Sequence, residues 1–373
     1  MRVVHIIDSG GYYGAEVMLV HLCQAQIDLG LDVEVISIGT HGNYQKPLEK
    51  KLLENSIPYK AWRMMALPDL RESFKILRYC KSSATDVIHS HGYKGNILLG
   101  MIPLHSRKLP VITTVHGYTQ YRSLSQMTIN HWLDRLCLKR LDAIVLVSES
   151  MHQQVPGERL KQKLYTIPNG IPAFIPESAN EPIDHFDSAG FNIGAIGRLS
   201  YEKNFQLLIR TMPLILDVLP NAKLAIYGEG RERAALEKLI EVLGLGASVF
   251  LPGYLDEPSR IYRHADVFIN CSLTEGMPIT LLEAMREGCP IIATDIPASR
   301  SLLNKLLGSA RVVSFSEQEI ANAVIAVATL KTDQTAAASI EAKACFAENY
   351  TAAAMAEKYV KIYQIHQKLR LNQ

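Results

Sequence analysis

The sequence predicts an α/β protein of two domains, each a doubly wound parallel sheet with helices on both faces. Three observations carry that expectation. Short Val- and Ile-rich runs, such as Val3 to Ile7 and Val111 to Val115, alternate with longer amphipathic stretches. Strands buried on both faces read as continuous apolar runs of this kind. Glycine turns follow several of these runs, as at Gly10-Gly11 and Gly276, where a strand must give way to a helix. The alternation also runs twice, with a polar stretch ending at Ser188 between the two passages. A chain of 373 residues is long enough for two domains, each with its own core.

Val3 to Ile7 is the first strand, Ser9-Gly10-Gly11 its turn, and Ala15 to Leu29 a helix stopped by Gly30. Val33 to Ile38 follows as a strand, then Lys46 to Asn55 and Phe74 to Ser82 as helices. Asp86 to His91 is a strand with polar residues at its C-terminal end, and Val111 to Gly117 is another. Met127 to Leu141 reads as a helix and Ala143 to Val147 as a strand. Leu164 to Pro172 reads as a break. The second passage has strands at Phe191 to Ile196, Leu224 to Tyr227, Val249 to Leu251, Ala265 to Asn270 and Ile291 to Ala293. Its helices are Asn204 to Asp217, Glu232 to Leu243, Ser259 to His264 and Leu281 to Glu287, the last stopped by Gly288. The tail from Ala336 to Leu369 reads as long, Ala-rich and helical. The expected division is a first domain over 1–166, a linker over 167–188, a second domain over 189–345 and a closing helix over 346–373.

Composition excludes several classes. With 48% hydrophobic and 20% charged residues the chain is not disordered. The net charge of +2 conceals 20 Lys and Arg against 14 Asp and Glu in residues 1–165. That surplus suits an acidic acceptor or an anionic membrane face, but its basic residues form no dense run, so no nucleic-acid partner is expected. Lys46, Lys50, Lys51, Trp132, Lys139 and Arg140 could form a membrane-touching face; core packing of the Trp132 helix is the favoured reading. The six cysteines include no C-x-x-C pair and several sit in apolar contexts, as buried thiols of a reducing compartment do. No apolar run approaches the length of a membrane span, and the first residues lack the pattern of a signal peptide. A cytoplasmic protein is expected, with peripheral contact at the inner membrane face as a further possibility.

The stretch Thr274-Glu275-Gly276-Met277-Pro278-Ile279-Thr280-Leu281-Leu282-Glu283 puts a strand end, a glycine turn and a helix start in succession. Pro278 fits a first helical turn, where its missing N–H is no loss. Free amides and the helix dipole there suit a phosphate or another anion, while Glu275 and Glu283 can accept from sugar or ribose hydroxyls. Taken alone, both carboxylates would more often be solvated. In Gly197-Arg198-Leu199-Ser200-Tyr201-Glu202-Lys203-Asn204 the two cations stand around one turn; they can converge on one anion and neutralise a diphosphate. A lone pair of this kind is usually solvated as well. No Asp-x-Asp string occurs, so metal-independent chemistry is expected. Gly10-Gly11-Tyr12-Tyr13-Gly14 is not a dinucleotide fingerprint.

The string E-G-x-P-x-x-x-L-E from Glu275 to Glu283 resembles the donor-site motif of the retaining glycosyltransferases of family 4, the glycosyl transferases group 1. G-R-L-x-x-E-K-N, with Arg198 and Lys203, looks like that family's diphosphate clamp. The resemblance covers essentially the whole chain and implies the GT-B fold, two Rossmann-like domains facing a central cleft, with the final helix crossing back to the first domain. It also implies that Gly10 and Gly11 form the Gly-rich first loop, although Tyr12-Tyr13 departs from the family's compact form. His116 matches the family's cleft histidine, and His91 falls on the acceptor side; His89 has no matching role. Gly228, Gly253 and Tyr254 would wall the nucleotide, with Gly276, Met277, Pro278, Ile279, Thr280 and Glu283 completing the donor site.

The implied reaction is transfer of a sugar from a nucleotide diphosphate, UDP by family frequency, to a hydroxyl of a glycan or lipid-linked acceptor. Cell-surface polysaccharide assembly is the implied setting, and no cofactor beyond the donor substrate is expected. No carboxylate nucleophile stands out on the acceptor side, so the resemblance implies front-side attack. The alternatives are a sugar-nucleotide epimerase on the same plan and a non-catalytic sugar-nucleotide binding protein.

Overall fold

A computed structural model of the chain describes residues 1–42, 45–65, 69–117, 126–155, 158–173, 180–186, 189–255 and 257–371. It divides into two compact units, Met1–Gly170 with Ala352–Gln373, and Ile171–Thr351. Tyr118 and parts of the expected 167–188 linker lie outside the described residues.

The strands of the first unit are β1 (Arg2–Asp8), β2 (Asp32–Thr40), β3 (Tyr59–Met64), β4 (Val87–His91), β5 (Val111–Val115), β6 (Ala143–Leu146) and β7 (Leu164–Thr166). They pair in the order β3-β2-β1-β4-β5-β6-β7, every described pair being parallel. The helices between them are α1 (Gly14–Asp28), α2 (Pro47–Glu54), α3 (Leu70–Ser82), α4 (Tyr93–Gly100), α5 (Leu104–Arg107), α6 (Gln126–Leu138) and α7 (Glu158–Lys161). Local chemistry starts two of them. The Glu16 carboxylate accepts from the Tyr13 amide at 3.0 Å ahead of α1, and Asp69 caps α3 by accepting from Glu72 N at 2.7 Å.

The second unit has β8 (Asn192–Ile196), β9 (Lys223–Tyr227), β10 (Val249–Gly253), β11 (Val267–Asn270), β12 (Ile291–Thr294) and β13 (Ala310–Val313). Their order is β10-β9-β8-β11-β12-β13. The flanking helices are α8 (Phe205–Leu216), α9 (Arg233–Val242), α10 (Ser259–His264), α11 (Ile279–Glu287), α12 (Pro297–Leu303), α13 (Glu317–Ala328) and α14 (Thr332–Asn349). Leu208, Ile209 and Met212 of α8 pack with Ile193, Leu224, Val267 and Ile320 in one buried core. In each sheet the chain order reverses beside the first strand, between β1 and β4 and between β8 and β11. In open α/β sheets ligands bind outside the carboxyl ends of the strands at such a point.

Two local details refine the expected helices. The Ala-rich tail is two helices, α14 and α15 (Ala352–Leu371). Tyr350 leaves helical geometry at φ −129°, its carbonyl accepts from Ile171 N at 3.0 Å, and Thr351 bridges to Ile171. Pairing with Ile171 therefore interrupts the helix. Pro278 is the cap residue before α11 and Ile279 its first helical residue. The proline keeps φ −73° and an extended ψ of 115°, as a cap requires.

α15 is fastened into the first unit. Tyr359 and Tyr363 are buried, Gln367 donates to Asp86 at 2.7 Å, and Arg370 to Asp142 at 2.6 Å.

Candidate active site

At the carboxyl end of β8 the chain passes through Gly197 to the exposed Arg198, makes one turn of 3-10 helix at Tyr201–Lys203 and enters α8. The stem of Lys203 runs back over Gly197, where an added Cβ would lie 3.3 Å from its Cε. Its ammonium meets Glu275 Oε1 at 2.5 Å, with the two side chains 23% and 16% exposed. Ser272 Oγ donates to the same oxygen at 2.8 Å. The loop after β11 is tied to the loop after β8 through backbone as well: Leu273 N donates to Glu202 O at 2.8 Å, and Cys271 Sγ lies 3.2 Å from Lys203 O. Lys203, Glu275 and the start of α11 thus lie together at the switch point of the second sheet. Arg198 stands on the exposed side of the same loop, where the Glu202 carboxyl is held below its ordinary range by hydrogen bonding first and by the Arg198 charge only after it.

Gly276, Pro278 and Ile279 are buried, and Met277 and Thr280 half-buried. Thr280 Oγ1 accepts from Asn270 Nδ2 at 3.3 Å, joining α11 to the end of β11. The first amides of α11 supply partial positive charge beside a lysine, which favours an anion there. Further along α11, Glu283 Oε2 accepts from the Tyr262 hydroxyl at 2.7 Å. Burial pushes the Glu283 carboxyl up, and the Tyr262 hydrogen bond only partly offsets it.

A carboxyl raised on folding loses stability as pH climbs from its unfolded pKa through its folded one. Glu283→Gln, which keeps an oxygen for Tyr262, is therefore expected to leave the melting temperature at pH 7 unchanged or raised. If Glu283 holds a ribose hydroxyl, the KM for the nucleotide sugar rises about tenfold, the worth of one hydrogen bond to a charged group. A lowered melting temperature with an unchanged KM would make Glu283 a purely structural residue.

Gly228 is buried at φ +138°, and its amide donates to Gly253 O at 2.7 Å. A Cβ on Gly228 would lie 2.0 Å from Gly197 O, and one on Gly230 would lie 2.2 Å from Leu199 O. These glycines let the loops after β8 and β9 touch backbone to backbone. Gly253 is buried at φ +92°, while Tyr254 projects with 75% of its surface exposed. Arg233 holds Glu229 through two hydrogen bonds of 2.6 and 2.7 Å beside Gly253.

In the first unit Gly10 is exposed and Gly11 buried. Tyr13 folds back over Gly11, so that a Cβ there would meet the ring at 2.3 Å; this is how the two-tyrosine loop is accommodated. His116, at the end of β5, is half-buried and bonds through Nε2 to His91 Nδ1 at 3.2 Å. His91 requires a correction as an acceptor-side residue. It is 2% exposed, and its other nitrogen bonds to His5 at 3.0 Å, so both of its ring nitrogens are committed inside the unit. Lys46 also differs from its expected place on a surface patch. Its side chain is 5% exposed and it bonds to Asp8 Oδ1 at 2.9 Å and Ser9 O at 2.7 Å. Lys94 lies 2.9 Å from Asp8 Oδ2. This Asp8–Lys46–Lys94 cluster at the switch point of the first sheet was not legible in sequence, because its members are scattered and unmotived as a set. Trp132 is 62% exposed on α6, whereas Asp134, Cys137 and Leu138 on that helix are buried.

Ring nitrogens of His5, His89 and His91 lie within 4.8 Å of one another, as metal ligands do. All six, however, are engaged in hydrogen bonds, to Gln26, Tyr363, Thr114, His116 and one another. With no carboxylate among them, the set reads as a hydrogen-bonded stack in a dry interior.

Two family models match the chain, Glycosyltransferase Family 4 over residues 12–173 and Glycosyl transferases group 1 over residues 183–344. A glycosyltransferase of Methanocaldococcus jannaschii is 28% identical over 61% of this chain and 59% of its own length. Alpha-monoglucosyldiacylglycerol synthase of Streptococcus pneumoniae is 26% identical over 72% of this chain and 67% of its own. The chain thus spans about three fifths to two thirds of these relatives. The crystal structure of Anabaena Alr3699/HepE in complex with UDP-glucose superposes with a TM-score of 0.80 at 17% identity, covering 98% of this chain and 99% of that one. Among the described residues no helix is long and apolar enough to cross a membrane.

Proposed function

Because the chain belongs to the family 4 glycosyltransferases of GT-B fold, we propose that it is a retaining, metal-independent enzyme moving a sugar from a nucleotide diphosphate to a hydroxyl. The observation that carries this reading is the Lys203–Glu275 pair at 2.5 Å beside the first turn of α11. A cation and the helix-start amides await the departing diphosphate there, and a carboxylate awaits the sugar's hydroxyls. Arg198 supplies the second cation. Stabilising the charge that develops on the leaving group supplies the largest share of the rate in such a site. Glu283 takes the ribose, while Gly228, Gly253 and Tyr254 wall the nucleotide. In the first unit Gly10, Gly11 and His116 are the proposed substrate-contacting residues.

The bond from the anomeric carbon to the phosphate oxygen breaks and the bond to the acceptor oxygen forms on the same face. The acceptor proton passes to the leaving phosphate. UDP is the proposed carrier, supported by the UDP-glucose bound in the Anabaena neighbour. A lipid or lipid-linked glycan is the proposed acceptor, supported by the pneumococcal relative named for a glucosylated diacylglycerol. A place in cell-surface polysaccharide assembly, on the cytoplasmic side of the membrane, accompanies that reading.

A thermal-shift panel of sugar nucleotides tests the donor. A UDP-sugar at about a hundred times its Kd should add roughly 2.7 kcal/mol of stability by mass action, with the shift unaltered by a chelator. No shift with any UDP-sugar, or a shift lost on chelation, would overturn the donor or the metal-free clamp respectively.

A further inference from the structure

The histidine stack of the first unit is a chain of hydrogen bonds with a direction. Gln26, fully buried on α1, donates through Nε2 to the Tyr363 oxygen of α15 at 3.0 Å. Its Oε1 is then the acceptor facing His5 Nε2 at 2.8 Å, so that nitrogen carries a proton. A neutral imidazole has one N–H only. His5 Nδ1 is therefore bare and accepts from His91 Nε2 at 3.0 Å. By the same step His91 Nδ1 is bare and accepts from His116 Nε2 at 3.2 Å. Only His116 Nδ1 is left. It carries no proton, it is a buried atom, and it has no hydrogen-bond partner among the described residues.

Neutrality, on which each step depends, follows from burial. It lowers His5 and His116 to about 4 and His91 well below its ordinary value. Tyr363 is anchored in turn by His89 Nδ1 at 2.7 Å, and His89 by Thr114 at 2.8 Å. The last helix is thus part of the circuit that orients a histidine at the mouth of the first sheet.

We propose that Gln26 and Tyr363 are positioning residues that fix the tautomer of His116, so that His116 meets its substrate as a hydrogen-bond acceptor for a hydroxyl. This rests on the reading of His116 as a substrate-facing residue. It deepens that reading by specifying the chemistry selected: a group that donates a proton. A fluorine or carbonyl at the same position leaves the lone pair unanswered, and a buried polar atom without a partner disfavours that analogue.

Long-range proton–nitrogen NMR spectra of the full chain, labelled with nitrogen-15 histidine and free of ligand, read the tautomer directly. His116 is assigned by the signals lost in His116→Gln. The expected result is an unprotonated Nδ1 and a protonated Nε2. In Gln26→Met, of similar volume but offering His5 no oxygen, both His116 tautomers become populated. Sugar transfer then falls about tenfold, as for one lost hydrogen bond. A proton on Nδ1 in the unaltered protein, or an unchanged tautomer in Gln26→Met, overturns the proposal. Full transfer by His116→Ala with the tautomer as stated would overturn the substrate-facing reading alone.

Discussion

Lys203→Ala is expected to lower turnover by about 10²–10³-fold, the range for losing one preorganised group that stabilises charge in a transition state. Among the described residues the ammonium has a single carboxylate partner, at 2.5 Å, shared with Ser272. In the proposed reaction the departing diphosphate and Glu275 face one lysine, and the developing charge is the one not already compensated. Removing the lysine leaves that charge to Arg198 and the α11 amides. The fold should survive, because the loop is held by backbone: Leu273 N to Glu202 O at 2.8 Å and Lys203 N to Ser200 O at 3.0 Å.

The freed Glu275 remains bonded to Ser272 and is 16% exposed, so it can be hydrated. Lys203→Arg keeps the charge on a longer, planar group and should recover part of the rate. Steady-state transfer measured alongside circular dichroism decides the matter. Near-normal turnover by a folded Lys203→Ala would remove the clamp from the mechanism.

How much of this was legible in the sequence follows from burial. Strands such as Val111–Val115 and Val267–Asn270, buried along their whole length, leave uninterrupted apolar runs. The strands that sequence reading passed over are edges. β3 reads Tyr59-Lys60-Ala61-Trp62-Arg63-Met64 and is half-exposed, β7 is three residues long, and β13 carries Arg311. An edge strand faces water on one side and keeps no continuous apolar signature. Helix α4 was hidden by Gly95 and Gly100, poor helix formers. They stand there because a Cβ would lie 2.5 Å from Ser90 Oγ and from Cys137 Cβ respectively.

The residues of the proposed donor site stand out in the sequence because Glu275 to Glu283 and Gly197 to Asn204 are local strings on strand-to-helix turns. The first unit's site does not. Its histidines come from β1, β4 and β5, Gln26 from α1 and Tyr363 from α15, so only the tertiary fold assembles them. Lys46 shows the same limit, since a lysine beside Lys50 and Lys51 reads as surface until Asp8 is brought to it.

Gly228→Ala is expected to be the most damaging single methyl group in the second unit. Two penalties coincide at this position. A φ of +138° is strained for any residue with a Cβ, and that Cβ would sit 2.0 Å from Gly197 O and 2.9 Å from Gly197 C. Backbone cannot swing aside as a flexible side chain would. Overpacking and backbone strain each cost about 1–3 kcal/mol, so a combined loss of roughly 2–6 kcal/mol of stability is expected. Gly230→Ala, which also meets backbone, at Leu199 O, should lose a comparable amount. Gly246→Ala, with nothing within 4 Å of its Cβ, should be nearly neutral.

The damage at Gly228 should reach function by a definite route. Gly197 N bonds to Tyr227 O at 2.9 Å and Gly228 N to Gly253 O at 2.7 Å, so the displaced backbone carries the ends of β8, β9 and β10. Arg198 follows Gly197 directly, and the Lys203 stem rests on it. A shift of a few tenths of an ångström there moves both cations of the proposed clamp. Gly228→Ala should therefore raise the nucleotide-sugar KM as well as lower the melting temperature, with the KM effect persisting at temperatures where the variant is fully folded. Thermal denaturation followed by steady-state kinetics well below the transition separates the two effects. A lowered melting temperature with an unaltered KM would show that the glycine contact holds the sheet together without setting the clamp.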